Sequence, residues 1–543
     1  MTFDDEKHAD GVVKVASHDN LRSVTNVSVS DIESADDFLE AAALATEREH
    51  TLSFREALRL YPGAFMWAIF VSFTIIMDGF DLSIISNFMA YPEFAKKFGD
   101  HHPGSNPEYL ISTKWNVTLS NVGIIGNFFG LTAMGILTPM FGHRIVMMGT
   151  LVLMVAFNFL PFFAPNVQVL TAGQALQGVT IGLFGIMGSV YASEVAPLPL
   201  RGFLTSFVNI CWVIGQLIFS GILVGLTPMH SEWAYRIPYA LVWFWPIPLF
   251  AIAYFCPDSP YWCVAKGRYA LAEKNLQRLS SGSTDAEIRR SLAMIVHTNK
   301  LEKAQSESAS IWECFKGTNL RRTEIACMVL SSQAWCGQVF AYGSTYFFMM
   351  AGFNADNSYK LNFGSMGVAF VGTVGSWILM VYFGRRPIII WGYIAMTLCL
   401  VLVGGLAFKD TQSALWAQAA MTVLWLFFYS LCMGPPTFSL AAEISATRLR
   451  PQTLAIGRFS YHLARLISNT VEPYLINPSA ANLKGKTALV WVGTSVINIL
   501  WCFFRMPETK GITYAEMDIL FDKKTPAWKF KSTQVDVIDD RHD

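Results

Sequence analysis

The sequence predicts an all-α integral membrane protein, with twelve transmembrane helices in two six-helix, pseudo-symmetric bundles. Three observations predict it. Of 543 residues, 53% are hydrophobic and only 15% charged, with a mean hydropathy of +0.37, whereas a soluble protein carries about 25% charge. Apolar runs of about 20 residues, the length that crosses a bilayer, recur along the chain. Three charged motifs repeat between the two halves at nearly one offset. The 41 Phe and 16 Trp exceed what one soluble core would hide. A net charge of zero gives nucleic acid no basic surface. Disorder, a secreted disulfide scaffold and an ordinary cytosolic enzyme are excluded.

In chain order, residues 1–61 are polar, with acidic patches at Asp4-Asp5-Glu6 and from Asp31 to Glu40. They lack the apolar core of a signal peptide and read as a cytosolic, partly disordered tail ending in an amphipathic stretch around Phe54-Arg55-Glu56-Ala57-Leu58. Residues 62–256 form the first bundle, with spans near 63–90, 117–140, 145–163, 168–192, 203–226 and 235–256. A hydrophilic linker, 257–323, carries short helices: Ala270 to Leu279, Asp285 to Lys303, and a last one after Glu313. Residues 324–506 form the second bundle, with spans near 324–350, 361–383, 387–408, 413–440, 452–476 and 486–505. Residues 507–543 are a second cytosolic tail, whose lysines at 523, 524, 529 and 531 suit anionic lipid. Each span is too long for a buried strand, and in lipid only helices or closed barrels satisfy the backbone.

Lysine and arginine fix the orientation. With both termini cytosolic, 30 of the 40 basic residues face the cytosol, eight lie in external loops, and Arg458 and Arg465 fall inside a span. The nine Cys show no paired spacing and read as packing residues; no His/Cys cluster points to a metal. Asn116-Val117-Thr118 fits a glycosylation sequon set too close to the membrane for use, and Asn26-Val27-Ser28 fits one that faces the cytosol.

The halves echo each other. Gly142-His143-Arg144 matches Gly384-Arg385-Arg386; Glu194 with Arg201 matches Glu443 with Arg450; Pro257-Asp258-Ser259 matches Pro507-Glu508-Thr509, at offsets of 242, 249 and 250. This is a parallel repeat, the arrangement of major facilitator transporters. Arg144, Glu194, Arg201, Arg385, Glu443 and Arg450 sit at cytosolic helix ends, where Glu–Arg pairs across the bundles would form a gate that closes and opens. Positive-inside anchoring explains the arginines alone, but not the glutamates.

With these residues in hand, the chain resembles the sugar porter family of the major facilitator superfamily over roughly residues 55–530. The resemblance rests on Gly79-Phe80-Asp81, on Tyr191 to Pro197 with Arg201-Gly202, on Pro257-Asp258-Ser259-Pro260 and on Pro507-Glu508-Thr509-Lys510-Gly511. Within the family it is similar to the fungal α-glucoside (maltose-type) permeases through Gly173-Gln174-Ala175-Leu176, Val208 to Trp212 with Gly215-Gln216-Leu217, Gly343 to Phe348, and Pro526 to Phe530. The resemblance implies a multi-pass plasma-membrane sugar transporter working by alternating access, with no cofactor.

Charged groups at bilayer depth cost about 2.5–3.5 kcal/mol each on the insertion scale, so each needs a reason. Asp78 and Asp81 in the first span share a helix face by their i, i+3 spacing. A carboxyl group that loads a proton outside and unloads it inside is what a proton symporter requires; a helix-bridging role is the plainer reading. The resemblance supports coupling but shows departures. The fourth-span position of many family members' Arg is Gln174, as in the α-glucoside branch, and that branch's third acidic position is Asn127. Pro139 and Val381 replace two acids of the family's cytosolic latch, which leaves room for a sensor with cytosolic signalling partners.

In the eleventh span Arg458, Arg465 and Glu472 recur every seventh residue on one face. Arg458 suits a structural contact with Glu443 or an interfacial carbonyl; Arg465 suits either sugar hydroxyls or a pairing with Glu472 or another acid. A sugar needs amides and imidazoles for its hydroxyls and aromatic faces for its apolar side. The candidates are Asn209, Gln216, Gln333, Gln338, Tyr342, Phe438, Tyr461, His462 and Arg465, each also readable as an interhelical contact. Phe438 follows Gly434-Pro435-Pro436, where a helix discontinuity would open a cavity. The resemblance places family sugar contacts at Asn209, Gln216, Gln333, Phe438, Tyr461 and His462, and Ala334 in place of the usual second Gln leaves room for a second ring. Three functions stand: a proton symporter of a glucoside, such as maltose; an uncoupled uniporter, including of β-linked disaccharides such as cellobiose or lactose; and a sugar sensor. With no phosphate loop in the sequence, ATP drive is not expected.

Overall fold

The computed structural model describes residue 44 and residues 52–533 apart from 102–108, 186, 307–310, 410, 447–448, 478–479, 513 and 531–532. Apart from residue 44, the expected tail 1–61 before residue 52, with its sequon, and the end of the second tail lie outside these residues.

The chain divides into two compact units. The smaller gathers, among described residues, the chain up to Met66, Glu194–Arg201 and Pro257–Ala304. Its helices Phe54–Leu60, Pro260–Ala265, Tyr269–Leu279 and Asp285–Ser306 are the short ones expected of the linker and the amphipathic stretch. Ser53 and Glu56 cap the first reciprocally. Trp262, Val264, Leu276, Ile288, Leu292 and Ile295 form a small core, and the Arg268 guanidinium lies over the Trp262 ring at 5.5 Å. Burial pushes the Cys263 thiol up to about 11, which suits a packing cysteine rather than a reactive one. All nine cysteines are free.

The larger unit is built from long apolar helices. Taken with the first span's start, they run in order as Pro62–Phe88, Thr113–Phe141, His143–Phe162, Val167–Phe184 with Met187–Val195, Leu198–Leu226, and Trp233–Val242 with Pro246–Phe255. The second set is Gly317–Gln333 continued by broken pieces to Ala351, Ala355–Tyr382, Arg385–Leu406, Gln412–Cys432 with Gly434–Ile444, Arg450–Ile476 and Thr487–Arg505. They fall on the apolar runs expected before and after the linker. Several start earlier than the apolar runs because polar first turns are still helical. Asn166, Asn354 and Thr411 cap their helices by accepting from Val169, Asn357 and Ala414 amides.

Four details refine the all-α expectation. Among described residues ten helices are long and apolar enough to cross a membrane; the seventh and eleventh spans are not among them. The seventh, expected to be continuous, breaks at a π-turn, Ala334–Gln338, where Gly337 has φ +89°. A side chain there would be strained and would meet Trp491 and Leu400. The eleventh carries the charged stripe. The fold is also not purely helical: between the first two spans lie a short helix, Pro92–Phe98, and a two-stranded antiparallel pair, Asp100–His101 with Tyr109–Leu110. Glu313, expected to precede the last linker helix, lies within the 3-10 turn Ile311–Phe315.

The second and fourth spans touch backbone to backbone. A Cβ on Gly126 would meet Ala175 and Val179, one on Gly130 would meet Gly182, and one on Gly178 would meet Gly123. Two four-residue glycine spacings face each other, the small-residue seam by which helices approach closely in lipid. Asn116 is buried on the second span, which removes it as a glycosylation acceptor.

Candidate functional site

The long helices enclose a cavity of about 330 Å³, within the range of small-molecule sites. Its wall takes residues from both halves. The first span contributes Asp78 and Asp81, the second Asn116 and Asn127, the fourth Gln174, and the fifth Asn209, Trp212 and Gln216. The second half adds Gln333, Gln338, Tyr342, Tyr429, Phe438 and the eleventh-span group Arg458, Tyr461, His462, Arg465, Asn469 and Glu472. Every expected proton-coupling and sugar-contact residue therefore lines one space. Two breaks shape it: the π-turn in the seventh span, and the interruption at Met433, where Gly434-Pro435-Pro436 restarts the tenth. The second was legible in the sequence.

Local geometry explains each placement. Asp78 and Asp81 are 2% and 5% exposed. Asp78 accepts a hydrogen bond from the Trp212 indole at 2.7 Å. Gln174 donates to Gln177 at 2.9 Å and to the Tyr239 hydroxyl at 3.4 Å, and Gln177 donates to Asn158 at 2.8 Å. Gln174 is thus held in a chain of neutral amides. The Tyr429 hydroxyl accepts from Gln338 at 3.0 Å and donates to Gln333 at 3.2 Å, while its ring stacks on Trp425 and meets Tyr342 edge-on at 5.9 Å. Tyr461 and His462 rings lie 5.3 Å apart.

The charged stripe differs from expectation. Arg458 does not meet Glu443; its guanidinium lies over the Phe438 ring at 4.3 Å. Among described residues Arg465 forms no ion pair with Glu472. Instead Glu472, 5% exposed, accepts from the Trp491 indole at 2.6 Å.

Much of the wall's hydrogen-bonding capacity is unused. Asp78 Oδ1, Asp81 Oδ1, Gln216 Oε1, Gln333 Nε2, Gln338 Oε1, Tyr346 Oη, His462 Nδ1 and Glu472 Oε1 are buried without a partner. Buried polar atoms are ordinarily satisfied, so this mixed set of donors and acceptors is complementary to a ligand rich in hydroxyls. Trp212, Tyr346, Tyr429 and Trp491 escaped the sequence reading because an aromatic residue in an apolar span reads as packing. The available signal was the indole N–H or phenol, which must find a partner when buried.

The expected gate residues separate into two settings. Arg385 donates to Glu443 at 3.0 Å, and Glu443 also accepts from Ser439 at 2.8 Å and Thr509 at 2.5 Å. Glu508 accepts from the backbone amides of Arg385, Arg386, Thr509 and Lys510. These contacts lie within the second half, not across the bundles as expected. The Val381 carbonyl accepts from Lys510 at 2.6 Å. Arg144 opens the third span and its guanidinium lies 5.2 Å from the Tyr254 ring. Arg450 opens the eleventh span. Glu194 and Arg201 belong to the smaller unit, where Arg201 donates to the Ala196 carbonyl at 3.4 Å.

At the opposite end, neutral groups join the halves. Asn87 Oδ1 accepts from Thr345 at 3.1 Å and from Asn362, the Asn87 carbonyl accepts from Tyr359 at 3.1 Å, and Asn87 Nδ2 donates to the Ser83 carbonyl at 2.9 Å. Nearby, Asn121 donates to Thr470 at 2.8 Å and Asn469 to the Ser120 carbonyl at 3.2 Å.

Residues 67–521 match the sequence model of a family described as Sugar (and other) transporter. The General alpha-glucoside permease of Saccharomyces cerevisiae (strain CEN.PK113-7D) is 34% identical over 514 residues, 94% of this chain and 82% of that protein. Maltose permease MAL31 of Saccharomyces cerevisiae (strain ATCC 204508 / S288c) is 34% identical over 507 residues, 92% and 82% respectively. Among solved structures, the partially occluded inward open xylose transporter XylE from E. coli superposes with a TM-score of 0.68 at 18% identity, covering 83% of this chain and 99% of that one. That likeness shows the fold, the major facilitator arrangement.

Proposed function

This chain belongs to the Sugar (and other) transporter family and moves sugar across a membrane as a multi-pass transporter, not an enzyme; from that premise we propose that its cargo is an α-glucoside of two rings, carried with a proton across the plasma membrane by alternating access. The cargo is supported by the α-glucoside and maltose permeases to which the chain is similar. The observation that carries it is the set of unpartnered donors and acceptors lining a single cavity. On this reading Asn209, Gln216, Gln333, Gln338, Tyr342, Phe438, Tyr461, His462 and Arg465 hold the sugar. Phe438 offers the apolar face, stiffened by Arg458.

Asp81, with Asp78, carries the proton. Two buried carboxyls on one helix face, one accepting from an indole and neither in an ion pair among the described residues, can gain and lose a proton without breaking a salt bridge. Residues 62–256 and 324–506 are the two bundles, 257–323 joins them, and both tails face the cytosol, an orientation supported by the bias of basic residues. Arg385, Glu443, Arg144, Glu194, Arg201 and Arg450 then belong to the cytosolic gate. Uniport is the second reading, favoured by the neutral Asn127 and Gln174 in the cavity wall.

The test is uptake of labelled maltose, cellobiose, lactose and glucose in a host without its own sugar transport, with external pH recorded. Maltose-dependent alkalinisation is expected, and Asp81→Asn abolishes it while preserving exchange of sugar down its gradient. Alkalinisation unchanged in that variant would sink the proton assignment. Uptake without alkalinisation in the native protein establishes uniport, and no uptake beside an intact sugar response establishes a sensor.

A further inference from the structure

The cavity wall continues past the nine sugar contacts toward the end where the neutral groups join the halves. There it is formed by Asn116 and Ser120 on the second span and Asn469 and Glu472 on the eleventh. None of these has a role in the transport cycle described above. Glu472 is the informative one. One carboxyl oxygen accepts from the Trp491 indole, and the other, buried, has no partner. A carboxylate retained at bilayer depth with half its capacity unused is costly unless something else completes it. Arg458 and Arg465 are on the same helix, yet neither is ion-paired with it among the described residues.

Distance along the helix identifies what completes it. Arg465 and Glu472 are seven residues apart, about 10 Å of helical rise. One pyranose ring seated among Arg465, His462 and Gln333 does not cover that separation, whereas two joined rings do. The geometry points to a second-ring subsite, in which Glu472, with Asn116 and Ser120 across from it, accepts and donates hydrogen bonds to the hydroxyls of the distal sugar ring and so selects disaccharides over single-ring glucosides. This rests on the two-ring cargo proposed above. The unpartnered carboxyl oxygen accepts from a hydroxyl of that ring, and the side-chain amide of Asn116, whose oxygen already accepts from the Ser120 hydroxyl at 3.4 Å, supplies its N–H donors.

The experiment compares half-saturation for maltose and for methyl α-glucoside in the full-length protein, at matched surface expression. Glu472→Gln keeps an oxygen for the Trp491 indole but removes the charge. It is expected to raise the half-saturation concentration for maltose about tenfold, the loss of one hydrogen bond to a charged group, and to leave methyl α-glucoside unchanged. Asn116→Ala, on a different helix, should shift the same ratio in the same direction. Equal effects on both sugars would overturn the subsite and assign Glu472 to gating or to the proton; no effect on either would leave it a partner of Trp491 only. If the native protein carries both sugars, these outcomes bear on the subsite alone. A native protein that carries methyl α-glucoside but no disaccharide overturns the cargo and the subsite together.

Discussion

The two ends of the large helical unit are closed by different chemistry. At the end that carries Arg385 and Arg505, charges meet: Arg385 with Glu443, Glu324 with Arg505, and Glu508 with four backbone amides. These contacts stay within the second half. At the other end, the contacts that join the first half to the second, through Asn87, Thr345, Tyr359 and Asn362, are neutral, and the ion pairs of Glu232 with Lys97 and Arg236 stay within the first half. The difference teaches where each kind of bond belongs in a machine that opens. A neutral hydrogen bond contributes about 1 kcal/mol net, because water replaces it when it breaks. An ion pair that loses its partner in a partly buried site costs more. Contacts that must be made and broken between the halves suit the first kind; ion pairs within one half, such as Arg385 with Glu443, hold that half's gate residues in position.

The largest effect should come from the neutral end. Asn87→Ala leaves the Thr345 hydroxyl and the Asn362 amide without their shared acceptor while closed, and is expected to destabilise that state by about 2 kcal/mol. Labelling of a cysteine placed at Ser86, beside the cavity, should rise accordingly; unchanged labelling would break the comparison. Next comes Glu443→Gln. Both side chains of its pair are about a fifth exposed, at 21% and 24%, so the loss is partly screened. About 1 kcal/mol of thermal stability is expected, shrinking as salt rises; a salt-independent loss would count against the charged description. By contrast, the Asn87 effect should not depend on salt. The smallest effect is Lys360→Ala. Its exposed i, i+4 pair with Asp356, at 2.6 Å, lies near the neutral end, and less than about 0.5 kcal/mol should be lost. A larger loss would mean that this end, too, relies on charge.

The sequence made the architecture legible because lipid leaves the backbone so few choices: apolar length marks a span. It made the cavity residues legible for the same reason, since an amide or carboxyl in a span must face inward. Partners were harder. Glu443 was visible as a charged group at a helix end, but whether it meets Arg385 in its own half or an arginine across the bundles depends on helix packing, which local spacing does not encode. Trp212 and Trp491 were indistinguishable from packing aromatics until their N–H groups were seen to end on Asp78 and Glu472. The break at Met433 was announced by Gly434-Pro435-Pro436, whereas the break at Gly337 has no proline beside it, and one glycine in a span is unremarkable in membrane helices.

The seam between the second and fourth spans has a mechanical consequence. Where Gly126 and Gly130 lie against Gly178 and Gly182, no side chains intervene, so there are no rotamers to re-sort and little slack to absorb a tilt. The two helices behave as meshed gears. The second carries Asn116 and Asn127 and the fourth carries Gln174, all in the wall of one cavity, so a displacement of one rack is passed to the other rather than dissipated as rearrangement.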